Sequence, residues 1–491
     1  MKKSLGKSVF LAIHLIAFTF IIITMGCRKN LDEEVLSQAR VQTTANRMVT
    51  ITTGIDISFF GAKADGKTDN YQAFVAAAAY ASTHENTTIN FSAGKYYIAK
   101  YRTVKNDPID HIYWTNCKGL KIIGQQGTII SLNGNFFRPL DYASSDGSLK
   151  SYTSGLCPFW FFNCTNLEIR NLEITGNVQN TTRAPGIDDN NPSVTESDNK
   201  LLRFTKCDSV IIDNIYAHHA EADGIKIGGD RINGIWVNST NFNVSNVRSD
   251  YNARLGMSIG GLSKSYFKNC EFNYNGFNEG SYGHNDPAGG VDIEPGEFHN
   301  NDNIKFENCA FENNFGSHFM CTAPTNTSYI TLLNCSLFTG IETSKVQAIT
   351  ILAKNVLIDG CKIRLGSRTM KFTNPKTPGS TATITNSIIE GSDNCITSNS
   401  KDLRDNIIFS NNQFKYTKDV LTKNFITLQT VNLQFLNNTV FISAAAIKSR
   451  PTGTHVLVQN AIISKGNKFY SENPLVKPKV SYTGTKIVAD L

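Results

Sequence analysis

Asn308-Cys309-Ala310-Phe311, Asn334-Cys335-Ser336-Leu337 and Gly360-Cys361-Lys362-Ile363 are three copies of one four-residue pattern. The pattern begins earlier, at Asn269-Cys270-Glu271-Phe272. It continues as Asn386-Ser387-Ile388-Ile389, Asn411-Asn412-Gln413-Phe414 and Asn437-Asn438-Thr439-Val440. From Asn308 to Asn437 the steps are 26, 26, 26, 25 and 26 residues. A fixed period of that size means stacked coils, each needing a neighbour on either side to bury its apolar face.

Anchoring on the repeated Asn extends the register back through Asn246, Asn214, Asn171 and Gly124, and forward to Gly466, giving about twelve coils. Short alternating stretches precede the anchors, such as Ile304-Lys305-Phe306. Others follow eleven residues after an anchor: Ile225-Lys226-Ile227, Met257-Ser258-Ile259 and Phe319-Met320-Cys321. Strands at fixed offsets with few helical patterns between them predict an all-β parallel β-helix. Residues 177–199 and 277–288 interrupt the period and are expected to be loops that wall a groove.

The 491 residues can bury a large core, and 40% of them are hydrophobic. The formal charge of +7 falls to about +4 without Lys2, Lys3 and Lys7, and no basic run points to nucleic acid. Those lysines precede an apolar run from Val9 to Met25, which reads as a secretory leader. Gly26-Cys27 resembles the cleavage site of bacterial lipoproteins, which implies lipidation of Cys27 after a leader of residues 1–27; an uncleaved membrane anchor is the alternative. Residues 28–50 read as a polar tether and residues 51–491 as the β-helix domain. The acidic run Asp32-Glu33-Glu34 resembles an export tag of Bacteroidetes-type lipoproteins. The expected location is the cell envelope, at the outer membrane on its periplasmic or surface face, as a monomer. Ten cysteines remain beyond Cys27. Cys270, Cys309, Cys335 and Cys361 share one slot of successive coils, and Cys117, Cys164 and Cys207 share another. Stacked, free, buried thiols are expected, not disulfides or metal ligands.

The N-terminal stretch Asp56 to Asn70 contains Phe60-Gly61-Ala62-Lys63-Ala64-Asp65-Gly66-Lys67-Thr68-Asp69. An Ala-rich helical pattern from Tyr71 to Ser82 follows, then Phe91-Ser92-Ala93-Gly94-Lys95-Tyr96. This resembles the opening of the pectate-lyase-like, rhamnogalacturonase/epimerase-type superfamily, where a "DFGAKGDGxTDDT" stretch leads to a helix and an "FPxGxY" strand. The resemblance covers about 50 residues, so residues 51–100 would form the cap and first coil of a right-handed parallel β-helix. It implies that Asp65 and Asp69 are structural, and that the protein binds or cleaves polysaccharide, as most of the superfamily does.

Stacking the strand after each anchor builds an outward column: Tyr113, Trp160, Arg203, Lys226, Ser258, Asp292, Met320, Thr350 and Lys371. Two residues on, a parallel column reads Thr115, Phe162, Thr205, Gly228, Gly260, Glu294 and Thr322. In Gly289-Gly290-Val291-Asp292-Ile293-Glu294-Pro295 the two acids share a face with Cα atoms about 6.6 Å apart. Such a pair can divide acid and base roles in glycoside cleavage, can hold Ca²⁺, or can be a solvated face. Ala222-Asp223-Gly224 resembles the Asn-Thr-Asp-Gly of polygalacturonases, implying a catalytic Asp223. The rest of that pattern is missing: Arg254-Leu255-Gly256 stands where an Asp-Asp pair belongs, Gly316-Ser317-His318 replaces Gly-His-Gly, and no Arg-x-Lys follows. Asp223 can equally be a turn residue.

Arg203 and Lys226, one coil apart, suit a sugar carboxylate, or are two exposed cations. His318 is expected near Asp292, and His284 lies in an insertion that could close on the groove. The favoured expectation is a glycoside hydrolase using Asp292 and Glu294, with Asp223 or His318 assisting and Arg203, Lys226, Trp160 and Tyr113 binding sugar. The rivals are a lyase with Lys226 as base, with Ca²⁺ on Asp292 and Glu294 as an option, and a non-catalytic glycan-binding lipoprotein.

Overall fold

The left-handed backbone turn explains the repeated Asn. Asn269, Asn308, Asn334, Asn386, Asn411 and Asn437 all have φ between 51° and 57°, and Gly360 and Gly466 take the same slot at 64° and 70°. Asn and Gly tolerate this conformation, which is costly for other residues. In the N-terminal coils the same turn bends long strands: Asn171 in Thr165–Thr175, Asn214 in Asp208–His218 and Asn246 in Ser239–Asp250.

The computed structural model describes residues 54–104, 111–138, 152–183, 199–277, 287–294, 299–322, 326–340, 347–372, 380–398, 406–485 and 487–490. The proposed leader, the tether, Cys27, His284 and most of both insertions lie outside these residues. Three faces repeat along the coils. The strands before the anchors pair in series, as in Asn301–Glu307 with Thr327–Leu333 and then Lys354–Asp359. The strands after them form a seven-stranded sheet from Ala310–Glu312 to Lys468–Tyr470. The third face is the ribbon of strands that carries the predicted column. Among the described pairings all are parallel except two: Arg102–Val104 with Tyr152–Ser154, and Asp230–Ile232 with Ile235–Val237. The architecture is the expected right-handed parallel β-helix solenoid, the winding sense that twisted strands impose on parallel connections.

Parallel register puts like on like. Phe161 stacks on Phe204 at 5.2 Å, and Phe267 on Phe306 at 4.7 Å. Each such pair adds about 0.5–1.5 kcal/mol beyond burial. His219, Tyr251 and Tyr274 stack at 5.5 and 5.3 Å along one corner. The ten described cysteines are buried and free, as expected; seven belong to the two slots, and Cys157, Cys321 and Cys395 lie outside them. The turn asparagines bond their copies, as in Asn163 Nδ2 to Asn116 Oδ1 at 2.6 Å and Asn214 Nδ2 to Asn171 Oδ1 at 2.9 Å.

A second, inner ladder was not expected. Asn412, Asn438 and Asn467 occupy the cysteine slot of the last coils, wholly buried. Asn412 Nδ2 donates to Asn438 Oδ1 at 3.1 Å and to the Ile384 carbonyl at 2.8 Å. Asn438 Nδ2 repeats this toward Asn467 Oδ1 and the Phe409 carbonyl.

The Tyr71–Thr83 helix covers the end of the first coils, burying Phe74 against Phe91 at 5.4 Å and Phe159 at 5.9 Å. Asp69 Oδ1 accepts from the backbone N–H groups of Tyr71 and Ala99. Asp65 closes a turn by accepting from Lys67, Thr68 and the Thr68 hydroxyl.

Asn438→Ala leaves the Asn412 backbone N–H, which now donates to Asn438 Oδ1 at 3.0 Å, and the Asn412 amide without that acceptor. A loss of about 2–3 kcal/mol is expected in urea unfolding, whereas exposed Asn411→Ala should cost less.

Candidate functional site

The ribbon register is that of the predicted column. Tyr113 pairs with Trp160, Trp160 with Arg203, Arg203 with Lys226, Lys226 with Ser258, Ser258 with Asp292, and Asp292 with Met320. Thr350 and Lys371 follow. Coils in this arrangement rise about 4.8 Å, so neighbours in the column are in reach of one another.

At one end the column is aromatic. Tyr113, 39% exposed, lies 4.8 Å from Trp160, and His111 backs Trp160 at 5.2 Å. The Arg203 guanidinium lies 3.4 Å from the Trp160 ring, a cation–π contact that holds it in place. Trp160 Nε1 donates to Thr205 Oγ1, fixing the indole in turn.

Beyond the aromatics a cavity of about 210 Å³ opens, lined by Arg203, Lys226, Glu294 and His299 over Gly228 and Gly260. A Cβ added at Gly228 or Gly260 would meet nothing closer than 3.8 or 3.5 Å. Side chains there would fit and would fill the hollow, so the two glycines make the cavity. Lys226 is half-buried, and its pKa is lowered to about 8 by burial first, then by Lys200, Arg203 and Arg254, against the opposing pull of Asp223.

His299 stands just beyond a Pro-Gly-containing stretch outside the periodic strands, where the repeat gives no facing for it. It stacks edge-on against Trp236 at 4.2 Å. Its Nδ1 is buried without a hydrogen-bond partner. Gly229 and Gly261 let the ring in: a Cβ on either would sit 2.7 or 3.1 Å from Nδ1. Burial is the largest influence on His299 and lowers its pKa; Asp230 opposes this and Lys226 adds to it. Trp236 belongs to the hairpin of Asp230–Ile232 and Ile235–Val237, an insertion that accounts for the long step between Asn214 and Asn246.

The acids are placed less symmetrically than expected. Glu294 is exposed and lines the cavity, but Asp292 is only 4% exposed, with Oδ1 lacking a partner. Burial and then the Glu294 charge raise the Asp292 pKa to about 7, against Arg254 and Lys226. Asp223 is wholly buried. Burial pushes its pKa up, but Arg254, Lys200, Lys226 and the Ser258 hydroxyl outweigh it, and the carboxylate is held below its usual range. It accepts from Arg254 Nη1 at 3.2 Å and from Ser258 Oγ at 2.8 Å. That is a buried ion pair which orders the ribbon.

His318 is not brought into the groove. It follows Gly290 in register, yet its side chain is buried, with Nε2 2.6 Å from Thr339 Oγ1. Burial and Arg368 lower its pKa to about 3. Its backbone parity matches Asp292, but it stands at the coil corner, where the side chain turns away from the ribbon.

Calcium is poorly matched here. Among the described residues no three His, Cys, Asp or Glu side chains cluster. Asp292 and Glu294 supply two carboxylates where Ca²⁺ takes six to eight oxygens, with Lys226 and Arg254 close to Asp292.

No family model and no curated protein matches the chain. Among solved structures it is similar to the Agl-KA catalytic domain, at 13% identity and a TM-score of 0.44, over 90% of this chain and 69% of that one. It is similar to the A-module of the mannuronan C-5 epimerase AlgE6 of Azotobacter vinelandii, at 12% identity and a TM-score of 0.45, over 89% of this chain and 99% of that one. It is also similar to the catalytic unit of a GH87 α-1,3-glucanase from Streptomyces thermodiastaticus, at 9% identity and a TM-score of 0.41, over 90% and 69%. What this chain does has to be read from its own ribbon.

Asp292 titrates at about 7 when folded against a usual 3.8, so its neutral form is favoured in the native state. That linkage removes stability as pH rises from about 4 to 7. Asp292→Asn should therefore raise the thermal midpoint relative to wild type above pH 7, with the gain vanishing near pH 4.

Proposed function

We propose that this chain is an exported polysaccharide-processing enzyme, tethered through Cys27, and that it cleaves a uronate-containing glycan by β-elimination. The observation that carries this reading is Arg203 and Lys226 lining one cavity, one coil apart, with Lys226 shifted to about 8. A uronate carboxylate seated on Arg203 would have its charge neutralised, which acidifies the adjacent C5–H. Neutral Lys226 takes that proton on Nζ. The C–H electron pair forms the C4–C5 double bond, the C4–O bond breaks, and the leaving oxygen takes a proton. Asp292, partly protonated near neutral pH, or water in the cavity supplies it.

The second reading is hydrolysis by Asp292 and Glu294. The raised pKa of Asp292 beside a second carboxylate favours it, as a general acid requires. The burial of Asp292 and the exposure of Glu294 weigh against both reaching one glycosidic bond.

Incubating purified protein with uronate polysaccharides separates the two. New reducing ends should appear together with the ultraviolet absorbance of unsaturated uronate, at a rate that climbs with pH and is half-maximal near 8 where water is the acid, or is bell-shaped with a maximum between about 7 and 8 where Asp292 is. Lys226→Ala should lose about 10²–10⁴-fold. Reducing ends without absorbance, abolished in Asp292→Asn, would establish hydrolysis instead; binding of glycans with no new ends would leave a carbohydrate-binding protein.

A further inference from the structure

The order of side chains along the ribbon says more than that a uronate is bound. In an extended glycan each pyranose advances by about the rise of one coil, so a chain lying along the ribbon meets one column position per sugar. Adjacent basic side chains occur in the column only at Arg203 and Lys226. On one side stands the exposed Tyr113, backed by Trp160, a flat apolar surface that suits the C–H face of an uncharged sugar. On the other side come Ser258, Asp292, Met320 and Thr350, and the next basic residue of the column, Lys371, is five coils from Lys226. The parallel column is neutral from Thr115 through Gly260 and then presents the exposed carboxylate of Glu294.

Nearby cations do not extend the basic site along this axis. Arg254 is committed to Asp223. Lys200 lies on the same coil as Arg203, three residues earlier, in register with Asp223. A second uronate directly after the first would face Ser258 and Gly260, where neither column supplies a cation, with the carboxyl groups of Asp292 and Glu294 one coil beyond. Like charges so placed discriminate strongly against a ligand.

We propose that the ribbon selects heteropolysaccharides in which each uronate stands between uncharged sugars, and rejects contiguous polyuronates. This selection rests on the elimination reading for the placement of the uronate at Arg203 and Lys226, but it is tested by binding as well as by cleavage.

The test is affinity electrophoresis at pH 6, where Lys226 is charged and does not act as base. Gels containing hyaluronan or deacylated gellan, whose uronates are separated, are compared with gels containing polygalacturonate or alginate. Retardation should need about tenfold less of the separated polymers, and Glu294→Gln should narrow that ratio by strengthening polyuronate binding. Equal or stronger retardation by polyuronates, an unchanged ratio in Glu294→Gln, or no retardation by any of the four would overturn the proposal. Cleavage is then scored at pH 8.5. If the separated polymers are preferred and cut without unsaturated products, the elimination reading fails while the selectivity stands.

Discussion

Each coil turns on a residue held in the left-handed conformation, and that residue sits on its own copy in the next coil. Asn and Gly supply the turn because they bear it at little cost, and the asparagine amides then bond along the stack. Once this corner is fixed, alternate residues of each strand have no choice of face, since a slip of one residue would turn the whole apolar set outward. The phenylalanine, cysteine and inner asparagine ladders are consequences of that register. So is the ribbon: Arg203 lies beside Lys226 because the same backbone period that buries Phe204 and Ile227 puts their neighbours outside.

The ribbon is where this regularity carries electrostatic conflict. Two cations share a cavity, and a carboxyl group is buried with one oxygen unpartnered. Elsewhere in the solenoid asparagine ladders satisfy buried amides with copies of themselves, as in Asn252, Asn275 and Asn314. The strip sets a depressed Lys226 and a raised Asp292 two coils apart beside one cavity, the pattern expected of a reactive site. Asp223 makes the contrast: equally buried, it has Arg254 and Ser258 and behaves as structure.

The solenoid was legible because a period near 26 residues and a repeated turn residue determine coil, strand and facing together. The column order followed from the same register. Burial depth did not, since the alternation that places Asp292 outside the core says nothing of what packs over it. The corner position of His318 was hidden for a related reason: strand parity stops at the corner, where side-chain direction depends on Thr339 and Arg368 from other coils. His299 and the Trp236 hairpin lie outside the period altogether, and their only trace was a long step between two anchors and the glycines 229 and 261 that make room for the ring.

The most direct test of the account is a crystal structure of the wild-type protein at pH 6 with a bound oligosaccharide carrying a single internal uronate. Below the Lys226 pKa the base is charged and the ligand should survive. The account predicts the carboxylate between the Arg203 guanidinium and Lys226 Nζ, with the sugar on one side of it resting against Tyr113 and Trp160. A carboxylate bound elsewhere, or Arg203 and Lys226 facing apart on different walls of the solenoid, would contradict it.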